Sequence, residues 1–340
     1  MTRVPTPRTV FLAVLPLVAV LTVGLAAGTS STASAAPEPD SYTFGVIGDV
    51  PYGAAQVAAF PGWVDSINAD DDVSFVTHVG DIKSGSTVCT DAYFDFVRGQ
   101  FDRFDTPLVY TPGDNEWTDC HRTSNGAYDP YERLDAIRST FFDSPGTTLG
   151  AEPMRVDARA ALPENVDWRR ARIRFMTAHA VGSNNGLAPW TGATEPNARQ
   201  VAEVQARTEG NVAQLREAFA EARAAGDRGV VIFQQADMFD PTYDAQPEDY
   251  TAFRPWVQAI VDEASRFDGP VYLFDGDSHV YHVDRPLEPG SRWLDFYGVE
   301  GSAGNLTRVT VDGSSNNEDW LKVQVHQRGD ELLTWDQVAY

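Results

Sequence analysis

The chain has 340 residues, with 26 Lys and Arg set against 49 Asp and Glu for a formal net charge of −23. That balance argues against nucleic acid or an anionic membrane as partner, because both are held by Lys/Arg clusters that this sequence lacks. Two Cys and no C-x-x-C spacing leave little room for dithiol redox chemistry.

Residues 1–35 read as a cleavable export signal. Arg3 and Arg8 provide the positive start, residues 10–27 the apolar run, and Ala33-Ser34-Ala35 the small-residue cleavage site. The mature protein is therefore expected to be secreted, with no stable membrane insertion. Removing this segment leaves 24 basic and 49 acidic residues, a net charge of −25. Residues 36–41 read as a Pro/acid linker and 42–340 as a single domain. In an exported chain Cys89 and Cys120 can pair, and a bridge would tie together the loops after two neighbouring strands.

A strand is predicted over 42–48, then a helix over 55–68 that Pro61 should break or restart. A strand over 73–79 and a helix over 92–104 follow, the latter with Phe94, Val97, Phe101 and Phe104 on one face. Next come a strand over 107–111 and a helix over 130–142 opening on Pro130. This strand–loop–helix series predicts a mostly parallel sheet of α/β class. Between 144 and 196 only a strand over 172–179 stands out, before a Gly/Asn/Pro-rich loop over 182–196 of the kind that is functional or mobile. A helix over 197–225 stops at Gly226, and a strand over 229–234, a helix over 253–267 and a strand over 270–274 complete the alternation. Short strands over 280–283, 293–299, 306–311, 321–325 and 332–335 suggest an antiparallel end.

Four of these strands stop at an acid: Asp49, Gly80-Asp81, Gly113-Asp114 and Gly276-Asp277. Parallel strands gather such residues along one sheet edge, where open α/β sheets build their sites. Clustered carboxylates repel one another unless a cation sits between them. The pattern therefore points to a metal site centred on Asp81.

The ordered series Asp49, Gly80-Asp81, Gly113-Asp114-Asn115-Glu116 and Gly276-Asp277-Ser278-His279 resembles the calcineurin-like metallophosphoesterases, from about residue 42 to 282. Members carry D-x-H, G-D-x-x-[DN], G-N-H-[ED], a lone His after a later strand, and G-H-x-H. The resemblance implies a four-layer α-β-β-α sandwich of two mixed sheets, the metallo-dependent phosphatase-like fold. It implies one or two divalent ions held by Asp49, Asp81, Asp114, Gln235, Asp277 and His279, with Asp81 bridging. A metal-activated water would then attack a small phosphoester.

The chain departs from the family at several positions. Pro51 and Asn115 stand where the motifs have His, Gln234-Gln235 where the lone His should fall, and Asp277 where the last motif has its first His. Asp114 replaces Asn, another oxygen donor. Oxygen ligands in place of four imidazoles favour Mn, Mg, Ca or Fe over Zn. Asn115, His121 and Arg122 are the candidate catalytic residues. An Arg can fork onto phosphate and a His can replace the missing acid. Surface His-Arg pairs are common without function, and a turn Asp can simply cap its loop. Lys83 can neutralise a phosphate or the carboxylates, while His78 and His179 suit core positions. Two readings stay open: a secreted metal-dependent phosphoester hydrolase, or a catalytically impaired relative that binds a cation or ligand without turnover.

Overall fold

The computed structural model describes residues 1–6 and 41–340. The apolar run and cleavage site of the expected export signal lie outside the described residues. So does the expected linker, except Ser41, which opens the first strand.

The first half alternates β1 (Ser41–Ile47), α1 (Gly53–Asn68), β2 (Val73–His78), α2 (Asp91–Phe101), β3 (Leu108–Tyr110) and α3 (Pro130–Phe141). The middle holds β4 (Asp157–Arg159), β5 (Leu162–Arg170), β6 (Ile173–Thr177), the single turn α4 (Gly182–Asn185), the long helix α5 (Ala198–Ala225) and β7 (Gly229–Phe233). Then come α6 (Arg254–Ala264), β8 (Val271–Asp275), β9 (His282–Asp284), α7 (Arg292–Tyr297), β10 (Leu306–Thr310), β11 (Asp319–His326) and β12 (Leu333–Ala339).

Two sheets result, ordered β12-β11-β1-β2-β3 and β4-β5-β6-β7-β8-β10-β9. β1, β2 and β3 run parallel, as do β6, β7, β8 and β10, and antiparallel strands flank both sets. The sheets are thus mixed rather than mostly parallel. β10 runs parallel to β8, so the C-terminal strands do not form a separate antiparallel unit.

The parallel strands are apolar on both sides because both sides are covered. In β2, Phe75 points to the other sheet while Val73 and Val76 meet the helices. In β7, Val231 and Phe233 face inward and Val230 and Ile232 meet helices. The inter-sheet core is aromatic: Phe44 stacks on Phe75 at 4.9 Å and meets Phe175, Phe233 and Phe274 edge-on. Helices α1, α2 and α3 cover one outer face through Phe60, Phe94, Val97 and Ile137. α5, α6 and α7 cover the other through Leu215, Phe219, Trp256 and Trp293. The architecture is the expected α-β-β-α sandwich.

Three local expectations fail. α1 runs through Pro61, because burying Phe60, Val64 and Ile67 outweighs one lost backbone hydrogen bond. The strand expected over 293–299 is instead the helix α7 and its exit: Ser291 caps it, Gly298 ends it in a left-handed conformation, and Trp293 and Tyr297 pack on the α5–α6 layer. The pair β4–β5 went unpredicted because its residues look polar. Glu164 is buried yet paired with Arg138 and His179, and Asp167 with Arg159 and Arg174.

Candidate metal centre

The chain leaves β1, β2, β3, β7 and β8 at their carboxyl ends in tight loops that carry the site. Asp49, Asp81, Asp277 and His279 have φ of 55°, 58°, 68° and 63°, and Ser183, Asn184 and Asn185 of the facing turn α4 lie between 52° and 54°. Left-handed conformations are costly for residues other than Gly and persist where the surroundings impose them. Seven of the eleven such residues among the described ones gather here.

These loops bring the predicted acids together. Ligand atoms of Asp49, Asp81 and His279 lie within 4.8 Å of one another, and so do those of Asp81, Asp114 and Asp277. Asp81 belongs to both groups. His279 Nε2 is 3.4 Å from Asp49 Oδ1, and the Asp277 amide donates to the Asp49 carboxylate at 3.1 Å. Gly182 passes close behind: a Cβ there would stand 2.7 Å from Asp114 Oδ2 and 2.9 Å from Asp277 Oδ2.

The electrostatics are unbalanced. Among the described residues no Lys or Arg forms an ion pair with Asp49, Asp81, Asp114 or Asp277. Burial, then the charges of Asp114, Glu116, Asp49 and Asp277, push the Asp81 carboxyl well above the usual range. Desolvation, followed by Asp114 and Asp49, does the same to Asp277. Burial alone would lower His279, but the hydrogen bond and charge of Asp49 hold it above its ordinary value. Five donors built of four carboxylates and one imidazole, short of positive charge and converging on two points, fit hard divalent cations.

A second layer of side chains orients the donors. Tyr52 donates its hydroxyl to Asp81 Oδ2 at 2.8 Å. Asn115 donates its backbone amide to Asp81 Oδ1 at 3.1 Å and its side-chain amide to Oδ2 at 2.5 Å. Glu116 Oε1 accepts from the amides of Asp81 and Gly113 and from the Tyr110 hydroxyl, which locks two site loops together. Lys83 is buried and donates to the Asn115 carbonyl at 2.6 Å. Loss of water lowers its ammonium to about 8, with Glu116 and Asp81 opposing the shift.

The other candidates are distributed as follows. Gln235 accepts from the Gly182 amide at 2.7 Å through its oxygen and turns its amide nitrogen to Asp114 Oδ1 at 3.3 Å. In that orientation it supports Asp114 rather than offering a donor oxygen to the centre. Arg122 pairs with Asp119 at 2.6 Å and donates to the Ser183 hydroxyl at 3.4 Å. That hydroxyl lies 2.8 Å from Asp114 Oδ2 and 2.9 Å from Asp119 Oδ1, so Arg122 stands one residue away from the cluster. His121 binds Thr191 and stacks on Trp190, with no hydrogen bond to the carboxylates. His78 is a core residue: Nε2 donates to the Val50 carbonyl, and Nδ1 accepts from the Gly80 amide. His179 is buried against Glu164.

Ser183, Asp119 and the roles of Glu116 and Tyr52 were not predicted. The one sequence signal for Ser183 is the run Gly182-Ser183-Asn184-Asn185-Gly186, whose residue types tolerate left-handed turns. Cys89 and Cys120 form a disulfide that joins the loops after β2 and β3, as expected.

No family model matches this chain, and no curated protein sequence matches it. Solved structures show a distant, partial similarity. "GAP50 the anchor in the inner membrane complex of Plasmodium" is 9% identical with a TM-score of 0.46, over 88% of this chain and 89% of that one. The purple acid phosphatase PPD1 of yellow lupin (Lupinus luteus) seeds is 10% identical with a TM-score of 0.46, over 88% of this chain and 54% of that one. The NAD nucleotidase NadN of Haemophilus influenzae is 10% identical with a TM-score of 0.43, over 87% and 55%. This chain spans about half the length of the last two.

Proposed function

We propose that this chain is an exported, metal-dependent phosphoester hydrolase. The observation that carries the reading is the pair of donor groups sharing Asp81. Asp49, Asp81 and His279 would hold one divalent ion, and Asp81, Asp114 and Asp277 a second. Bound there, the ions supply Lewis-acid polarisation of the phosphoryl group and lower the pKa of water. The protein's own residues do the positioning. Tyr52 and Asn115 fix both oxygens of the shared Asp81 carboxylate, and Ser183 and Gln235 fix Asp114. Arg122, partly exposed beside Ser183, offers a guanidinium fork to phosphoryl oxygens. The oxygen-rich donor set favours Mn, Mg, Ca or Fe, and the disulfide suits an oxidising compartment.

The competing reading, cation binding without turnover, draws on Asn115. Its amide is committed to Asp81 and Tyr52, and no imidazole takes its place to protonate a leaving group. Metal analysis of the purified mature protein, with assays on a phosphomonoester and a phosphodiester, separates the two. The hydrolase reading expects bound metal and turnover, with Asp81→Asn losing metal and at least ~100-fold in kcat. Bound metal with no turnover supports the competing reading; neither metal nor turnover removes both.

A further inference from the structure

Ser183 makes more contacts than holding Asp114 requires. Its Oγ lies 2.8 Å from Asp114 Oδ2 and 2.9 Å from Asp119 Oδ1. A hydroxyl has one proton, so it donates to only one of these carboxylates at a time. Asp119 belongs to neither donor group of the metal centre. It is 2% exposed, and its Oδ2 is held at 2.6 Å by Arg122. Arg122 Nη2 also lies 3.4 Å from Ser183 Oγ. A hydroxyl within hydrogen-bond reach of a base that a third group orients is the arrangement of an activated nucleophile.

The backbone presents this hydroxyl to open space. Ser183, Asn184 and Asn185 have consecutive φ of 52°, 54° and 53°, a conformation costly for residues other than Gly. Arg207 imposes it from behind by binding the carbonyls of His179 and Asn185. The turn leaves Ser183 partly exposed in the wall of a cavity of about 520 Å³. The Arg122 side chain beside it is 43% exposed, so one phosphoryl group can meet both. A serine that only supported a carboxylate would need neither the opening nor the guanidinium.

We infer that Ser183 is the nucleophile that takes the phosphoryl group, with Asp119 as its base and Arg122 as the clamp on the phosphoryl oxygens. The inference rests on the hydrolase reading of the centre and gives it a reaction course through phosphoserine. In the first step Ser183 Oγ bonds to phosphorus, the ester P–O bond breaks, and the Oγ proton passes to Asp119. The departing alkoxide takes a proton from solvent, and Asp119 returns its own to solvent. In the second step a water oxygen bonds to phosphorus and the Oγ–P bond breaks. One water proton goes to Ser183 and the other stays with the phosphate.

Because Ser183 also holds Asp114, lost activity in a variant does not by itself identify a nucleophile. The test therefore looks for the intermediate in the native chain supplied with Mn²⁺. 4-Nitrophenyl phosphate and phenyl phosphate are turned over with ethanol present, the reaction is quenched in acid, and the peptides are analysed by mass spectrometry. The Ser183 peptide is expected to gain one phosphoryl group. The ratio of ethyl phosphate to inorganic phosphate should be the same for both esters, since both pass through one intermediate. Turnover with a ratio that follows the leaving group, or with the phosphoryl group on another residue or on none, overturns the inference and leaves the hydrolase reading in place. Ser183→Gly suits the left-handed turn and should form no adduct while losing at least ~100-fold in kcat; retained turnover overturns the assignment. Asp119→Asn should slow adduct formation about 100-fold, and an unchanged rate removes Asp119 as the base. If a phosphoryl group accumulates on Ser183 without further turnover, the nucleophile stands and the hydrolase reading falls. Neither adduct nor turnover removes both.

Discussion

His78 shows how one side chain can support the site without joining it. Both ring nitrogens are engaged, Nε2 as donor to Val50 and Nδ1 as acceptor from Gly80, so only the neutral ring fits. Burial lowers it from 6.5 to about 4. Because the folded value lies below the unfolded one, the stabilisation is complete above pH 6.5 and is lost as pH falls from 6.5 towards 4. Between pH 7.5 and pH 5 this single group should cost about 2 kcal/mol. Denaturant unfolding of the native chain and of His78→Gln at the two pH values checks it. The variant is less stable at pH 7.5 but should lose about 2 kcal/mol less on acidification. A similar loss in both chains would assign the acid sensitivity elsewhere. At this scale the four strand-end acids were readable because each follows a β-prone run. The supporting residues were not, since Ser183 acts on Asp114 from 69 positions away.

Among the elements, the turn α4 lies directly against Asp114 and Asp277. Arg207 of α5 is buried and binds the carbonyls of His179 and Asn185 at 2.9 and 2.7 Å, which holds the turn against the core. Gly182, at its start, has no room for a side chain beside Asp114 and Asp277. Gly182→Ala should push those carboxylates apart and weaken metal binding by about 10–100-fold, the usual cost of disturbing ligand orientation. The stability of the metal-free chain should change by less than about 1.5 kcal/mol, since the two acids can move towards the cleft. Metal titration alongside thermal unfolding of the apo-protein tests both halves. An unaltered affinity would mean that the cluster relaxes freely. Elements with plain periodicity, such as α5 between its Asn197–Gln200 capping box and Gly226, were readable in the sequence. β5 was not, because its polar residues are neutralised by partners distant in the chain.

For the whole molecule, the disulfide closes 31 residues that include α2 and β3 and spans the two site loops. Loop-closure entropy alone gives a bridge of this length about 3–4 kcal/mol. Cys89→Ala/Cys120→Ala should lower unfolding stability by about that amount, and urea titration of the two forms measures it. A loss below about 1 kcal/mol would show that the aromatic inter-sheet core already constrains both loops.

The sequence alone determined the α/β class, the order of most strands and helices, the acids that end them and the available cysteine pair. Each is a local property, set by apolar periodicity, turn chemistry or composition. Tertiary structure decided the mixed strand order, the helix over Arg292–Tyr297, the hairpin of β4 and β5, and the company each acid keeps. Those depend on which distant charge neutralises a polar strand and which facing loop approaches a carboxylate, and neither leaves a periodic trace along the chain. Asp81 is the meeting point of the two: its place at a strand end is written locally, while its membership of both donor groups exists only after two sheets have packed together.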